Sequence, residues 1–289
     1  MVQDTRHTVL VTGSKGQLGS AIAKLTAGSS FDFIFADREE LDIAEKSDVD
    51  NFFKNNKIDG CVNCAAYTAV DEAEDNKEQA QKINVEGVKN LSLACGENGA
   101  TLVNISTDYV FDGRKNNPYT EDDLPNPLSV YGKTKLDGEK EAQRHNPKTI
   151  IIRSAWLFSE YGRNFVKTIY ELAKTRDSLK IISDLASSPT NANDLAEAIL
   201  RILETPVFGL FHFANLGTAT RYDMAKVIVA RAGFDCILDP ISSDDFPAKA
   251  ERPQFSALSS DKIQRTFNLN IRSWEEALVD AVDKIESQG

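Results

Sequence analysis

A tyrosine and a lysine four residues apart, Tyr131 and Lys135, follow a Ser106-Thr107-Asp108 run and, far upstream, a glycine-spaced turn at Gly13, Gly16 and Gly19. Residues four apart on a helix share a face, so the Lys135 ammonium can sit beside the Tyr131 phenol. A neighbouring cation favours phenolate and is expected to lower the phenol's pKa. Such a phenol gives a proton to a carbonyl oxygen while hydride reaches the carbon, and takes it back in the reverse direction. The pair alone says little, because any amphipathic helix can carry a packing aromatic beside a solvated amine. Its weight comes from order: glycine turn, strand ending in Ser/Thr, then the pair. That order predicts nicotinamide-dependent carbonyl reduction.

The elements that must hold these residues alternate. Apolar, β-rich runs at 8–12, 31–36, 60–64, 101–105 and 149–153 read as strands. Between them, 17–27, 47–55, 78–97 and 129–145 have helical spacing, the second begun by Ser47 as a serine cap. Alternation at this interval predicts an α/β fold, a Rossmann-like doubly wound parallel sheet with ligands at the carboxyl ends of its strands. Beyond about residue 155 the alternation fails. Helices are expected at 164–174, 193–203, 222–232 and 274–286, and Pro189, Pro206, Pro240, Pro247 and Pro253 divide the rest into short pieces. The division is therefore a dinucleotide-binding domain, 1–155, and a smaller C-terminal α/β substrate lobe, 156–289, partly interleaved with the first.

Composition narrows the partners. A net charge of -11 disfavours nonspecific binding to nucleic acid or anionic membranes, so an anionic ligand must meet local cations. The opening MVQDTRH carries no charged-then-apolar leader, and no apolar run approaches the roughly 18 residues a membrane span needs. A cytoplasmic location is the expectation. Cys61 and Cys64 form a C-x-x-C, but they lie in an apolar strand with no second Cys or His pair at zinc spacing. His7, His145 and His212 are scattered, and no metal site is expected.

Gly13, Gly16 and Gly19 directly follow a strand and open a helix, the context in which backbone amides meet a dinucleotide pyrophosphate. Lys15 either adds charge there or is simply solvated. Asp37 ends the second strand, where a carboxylate accepts the adenosine ribose hydroxyls of NAD; Arg38 beside it is the device that pairs with the 2′-phosphate of NADP. Both cofactors therefore stay open. Thr107 and Ser106 stand where a hydroxyl can orient a substrate carbonyl against Tyr131.

With these residues in view, the chain resembles the extended short-chain dehydrogenase/reductase family, and within it the reductases of dTDP-linked 4-ketosugars. The resemblance spans nearly the whole chain and rests on Gly16-Gln17-Leu18-Gly19, Leu41-Asp42-Ile43, the run Asn63 to Asp71, the run Ser106 to Gly113, Tyr131-Gly132-Lys133-Thr134-Lys135, Arg153 to Phe158, and Arg252-Pro253. It implies Thr107, Tyr131 and Lys135 as a catalytic trio. Asp42, Ile43, Ala65, Ala66 and Tyr67 would line the cofactor with Gly13, Gly16, Gln17, Leu18 and Gly19, and Lys135 would also hold the nicotinamide ribose. Val70, Asp71, Asp108, Tyr109 and Trp156 fall where the family contacts substrate. Asn84 matches a helix asparagine that supports the active site.

The implied reaction is reduction of the C4 ketone of dTDP-4-dehydro-β-L-rhamnose by NADPH or NADH. Some family members dimerise through a magnesium ion held by glutamates; Ala21 and Asn193 stand near those positions, so that site is not expected, while a homodimer by other contacts stays open. The rival expectations are another nucleotide-sugar 4-ketoreductase or epimerase, and a noncatalytic regulatory subunit like that of methionine adenosyltransferase.

Overall fold

Runs of apolar residues buried on both sides make poor surface strands and good interior ones. Val9 to Val11, Cys61 and Val62, Leu102 and Val103, and Ile150 to Ile152 are all essentially inaccessible. In the computed structural model, which describes residues 6–288, these runs form the middle of a six-stranded parallel sheet. Residues 1–5, part of the segment read as lacking a leader, lie outside the described residues. The strands are β1 (His7–Thr12), β2 (Phe31–Ala36), β3 (Gly60–Asn63), β4 (Thr101–Thr107), β5 (Thr149–Ser154) and β6 (Gly209–His212). Their spatial order is β2-β1-β3-β4-β5-β6. The chain reverses direction across the sheet between β1 and β3, which opens a crevice at the carboxyl ends of those strands.

Helices cover both faces. On one, Gln17–Leu25, Ala192–Glu204 and Asp261–Phe267 pack through Ile22, Leu195, Ile199 and Ile263. On the other, Lys46–Asn55 and Val88–Asn98 pack through Val49, Phe53 and Leu91, joined by Ala142 of Val130–His145. A second apolar cluster unites helices Phe165–Ala173, Arg221–Ala232 and Trp274–Glu286 over a strand, Ser178–Ile182, that pairs with Ile237–Ile241. Among the described residues no helix is long and apolar enough to cross a membrane.

Three local expectations need correction. Ser47 is not a cap: the helix starts at Lys46, and its N-cap position, Glu45, makes no capping side-chain bond. The helix expected over 78–97 is three pieces, Lys77–Gln81, a π-helical turn Lys82–Gly87, and Val88–Asn98. A wider turn of this kind rotates the following residues relative to a continuous α-helix, and here it coincides with an inward-facing asparagine described below. Finally, β6 is a sixth sheet strand that the sequence reading did not anticipate. It is four residues long and follows Pro206, so its own periodicity is too short to read; pairing with β5 makes it a strand.

Candidate active site

Ser129 precedes helix Val130–His145, and its Oγ accepts the Gly132 amide at 3.2 Å, a serine N-cap that sets where the helix begins. A Cβ on Gly132 would lie 2.1 Å from the Tyr109 carbonyl oxygen, so only glycine lets this first turn approach the segment after β4. Tyr131 then meets Tyr109 edge to face, with ring centroids 5.7 Å apart. One turn further on, Lys135 is buried and donates from Nζ to the Ile105 carbonyl at 2.7 Å. Thr107, two residues beyond Ile105, faces the Tyr131 phenol.

The electrostatics differ from the simple pairing expected. Burial pushes the Tyr131 phenol above its ordinary value, opposed by a hydrogen bond with Thr107 and reinforced by Asp108 and Tyr109. Burial also lowers Lys135 to about 8, with Glu139 and Cys64 pulling it back up. Desolvation is the leading cause at both groups, and Lys135 spends a donor on the Ile105 carbonyl. Tyr131 is held as a protonated acid.

Asp108 is buried as well. Oδ1 accepts from Thr107 at 3.0 Å, and Oδ2 from Ser187 at 3.1 Å and Ser256 at 2.5 Å. Burial raises its pKa to about 6 against these three donors. It lines the cavity, yet its carboxyl oxygens tie the end of β4 to the second half of the chain.

The glycine loop presents an uncapped helix end: Gly16 at the N-cap offers no side chain, and the first turn of Gln17–Leu25 carries no acidic residue. Amides at such an end favour an anion. Gly13 has φ +62°, and a Cβ there would sit 2.7 Å from the Ala65 amide nitrogen, so the loop can lie against the segment after β3 only with glycine. Gly13, Gly16, Gln17 and Leu18 line the cavity; Gly19 does not, being turned against the Ser14 backbone. Gln17 also accepts from Ser159 Oγ at 3.0 Å, which ties the loop to the second half.

At the end of β2, Asp37 accepts the Glu39 amide on Oδ1 at 2.8 Å and pairs through Oδ2 with Lys15. The carboxylate expected to receive ribose hydroxyls is thus already engaged, and Lys15 is drawn to it rather than standing as an isolated phosphate ligand. Arg38, largely exposed, donates to Asp42 at 3.3 Å. Two cations at this rim and an uncapped helix end fit a dinucleotide carrying an extra phosphate.

Ile43, Ala65 and Ala66 line the cavity, whereas Tyr67 lies off its wall. The Tyr67 amide donates to Asn84 Oδ1 at 2.9 Å, and Asn84 Nδ2 donates to the Tyr67 carbonyl and to Thr134 Oγ1, each at 3.1 Å. Asn84 is therefore a buried strut from the π-helical turn, not a surface residue. Val70 lines the cavity but Asp71 does not. Arg252 grips both Asp71 oxygens, at 3.1 and 2.5 Å, and the Lys249 and Ala250 amides add bonds of 3.0 Å each. These partners, Arg252 foremost, hold Asp71 down to about 2.

Sequence reading missed Arg221. Trp156 adopts φ +44°, rare for a bulky side chain, and its ring carries the Arg221 guanidinium at 3.9 Å, with Phe165 at 4.6 Å. Burial lowers Arg221 to about 10. Among the described residues no carboxylate lies within ion-pair distance of it. Arg221 lines both the cavity of about 610 Å³ that holds Tyr131 and a neighbouring one of about 1400 Å³. No local spacing marks it: it is the first residue of a helix capped by Thr220, and only folding aims it at the site.

The family model of the RmlD substrate binding domain matches residues 7–287. The chain is 38% identical over 283 residues to a dTDP-4-dehydrorhamnose reductase of Aggregatibacter actinomycetemcomitans, covering 93% of this chain and 96% of that protein. A solved dTDP-4-dehydrorhamnose reductase from Clostridium acetobutylicum superposes with a TM-score of 0.94 at 41% identity, over 96% of this chain and 99% of that one. The same enzyme from Bacillus anthracis, solved in complex with NADP, gives 0.94 at 34% identity, over 97% of this chain and all of that one, 100%. With sequence match, fold and a reductase-type cavity in agreement, the chain belongs to the RmlD substrate-binding-domain family, whose relatives here carry the name dTDP-4-dehydrorhamnose reductase.

Proposed function

We propose that this protein reduces the C4 ketone of dTDP-4-dehydro-β-L-rhamnose to the hydroxyl of dTDP-L-rhamnose, with NADPH as its preferred reductant and NADH as a second donor. The observation that carries the reading is one junction: Tyr131 and Thr107 face each other in a cavity bounded on one side by uncapped loop amides and on the other by the Arg221 cation. NADPH, when bound, supplies hydride. Gly13, Gly16 and the first-turn amides of Gln17–Leu25 would hold its pyrophosphate, and Arg38 its 2′-phosphate.

The chain's own residues do the rest. Thr107, its hydroxyl turning from Asp108 when substrate binds, orients the ketone oxygen, and Tyr131 gives that oxygen its proton as the carbon becomes tetrahedral. A phenol held protonated by burial suits this role, since it must enter the step as an acid. The phenolate left behind is stabilised by the Lys135 ammonium and regains a proton from solvent. Arg221, half buried and with no carboxylate partner among the described residues, meets the substrate diphosphate, so the nucleotide extends into the larger cavity beside Arg252. Residues 1–155 then hold the dinucleotide and 156–289 most of the sugar nucleotide, with 190–212 returning to the sheet.

The test is to mix the protein with dTDP-4-dehydro-β-L-rhamnose and NADPH or NADH, following cofactor oxidation and identifying the product. Stoichiometric oxidation with formation of dTDP-L-rhamnose is expected, faster with NADPH. Tight retention of oxidised cofactor without net consumption would replace this reading with an epimerase. Cofactor binding with neither turnover nor epimerisation would favour a regulatory subunit.

A further inference from the structure

Four residues beyond Lys135 on the same helix face stands a carboxylate the proposed chemistry does not use. Glu139 is buried, and its Oε1 accepts from Ser106 Oγ and from Arg153 Nε at 2.8 Å, while Oε2 accepts from Arg153 Nη2 at 2.7 Å. Ser106 lies between Ile105, whose carbonyl receives Lys135, and Thr107, which faces the phenol. Arg153 comes from β5, directly opposite Ser106 in the strand pairing. One carboxylate therefore ties the helix to β4 and β5 through Ser106 and Arg153, with Ser106 set between the residue that receives Lys135 and Thr107.

We propose that Glu139, clamped by Arg153 and Ser106, is a positioning residue that keeps Lys135 charged and aligned beneath the Tyr131–Thr107 pair. The inference deepens the reductase reading and rests on it. The groups facing Lys135 are few: Glu139 and Tyr131 on its own helix, Cys64 after β3, and the Ile105 carbonyl on β4, with Asp108 beyond Thr107. Of these, Glu139 is the foremost group favouring the charged amine against desolvation. Arg153 fixes the carboxylate by a two-point grip, so its charge cannot swing away from the helix. Without Glu139, Lys135 loses its proton at lower pH, and both phenolate stabilisation and the hold on the nicotinamide ribose fail earlier as pH rises.

The experiment compares wild type, Glu139→Gln, and the double variant Glu139→Gln/Arg153→Met, which removes the Arg153 charge that the single variant would leave unpaired should that variant fold poorly. Two quantities are followed against pH: kcat for NADPH oxidation with the ketosugar, and NADPH affinity by nucleotide fluorescence, which needs no sugar. The alkaline limb of both is expected to move down by roughly one pH unit in each folded variant, with rates returning toward wild type on the acid side. A loss that is uniform across pH, or limbs that do not move, would overturn the proposal. An inert wild type would defeat the reductase reading, while the affinity limb would still decide the role of Glu139.

Discussion

The rim of the cavity at Lys15, Asp37, Arg38 and Asp42 and the junction of Tyr131, Lys135, Asp108 and Arg221 are built from the same kinds of group. At the rim, Lys15 pairs with Asp37 and Arg38 with Asp42, but both cations are more than two-thirds exposed and solvent screens them. At the junction, Tyr131, Lys135, Asp108 and Arg221 are withdrawn from water, and burial is the leading cause of every shift there. Exposed charge tunes which ligand is preferred by small increments. Buried charge decides whether the chemistry runs, because each proton or anion is worth more where the medium cannot compensate.

The largest consequence of that contrast belongs to Tyr131. Tyr131→Phe should lower kcat by about 10²- to 10⁴-fold while NADPH affinity, read by fluorescence, stays within about twofold, since only the proton donor is lost. A near wild-type rate would remove the junction from the mechanism. Next comes Arg221→Met, which should raise KM for the nucleotide sugar roughly 10- to 100-fold through loss of charge-assisted bonds, with NADPH affinity unaltered. Its Tm should hold or rise, because an uncompensated, half-buried cation is removed. A fall in Tm would mean Arg221 has a structural anion partner instead.

Asp108 gives an intermediate test through pH. Its folded pKa, about 6, lies above the ordinary value of 3.8, so the native state binds the extra proton and stability from this group is present below 3.8 and lost as pH rises through about 6. Asp108→Asn lacks that loss. The Tm difference, variant minus wild type, should therefore increase by a few degrees between about pH 4 and pH 6.5 and then level off. A flat difference would show that the three hydroxyls, not desolvation, set the carboxyl group.

The smallest effect is expected at the rim. Arg38→Ala should raise KM for NADPH several-fold and leave NADH almost unchanged, and added salt should shrink the difference. An effect as large as that of Arg221→Met would erase the distinction between rim and junction.

Much of this was legible before folding. Gly13, Gly16 and Gly19 after an apolar run, and Tyr131 with Lys135 four apart behind Ser129, are local spacings, and local backbone rules read them. Helix Trp274–Glu286 was placed at its observed bounds for the same reason, with a capping box of Ser273 and Glu276 at its start. What local spacing could not show is a partner that only folding brings in. Asp71 is paired through both oxygens with Arg252, 181 residues away. Asp37, which lines the cavity, is also paired with Lys15. The π-helical turn at Lys82–Gly87 and strand β6 have no periodicity of their own to announce them.

The amino-acid order by itself determined the alternation of strands and helices, the strand, glycine turn and helix at Gly13 to Gly19, and the four-residue spacing of Tyr131 and Lys135, because each depends on residues within a few positions of one another. Tertiary structure alone decided the burial that pushes the Tyr131 phenol up, the internal ties of Asp71 and Asp108, and the arrival of Arg221 at the meeting of two cavities. Those outcomes depend on how much water is excluded and which distant group fills the space, and desolvation is a property of the packed molecule, not of any segment.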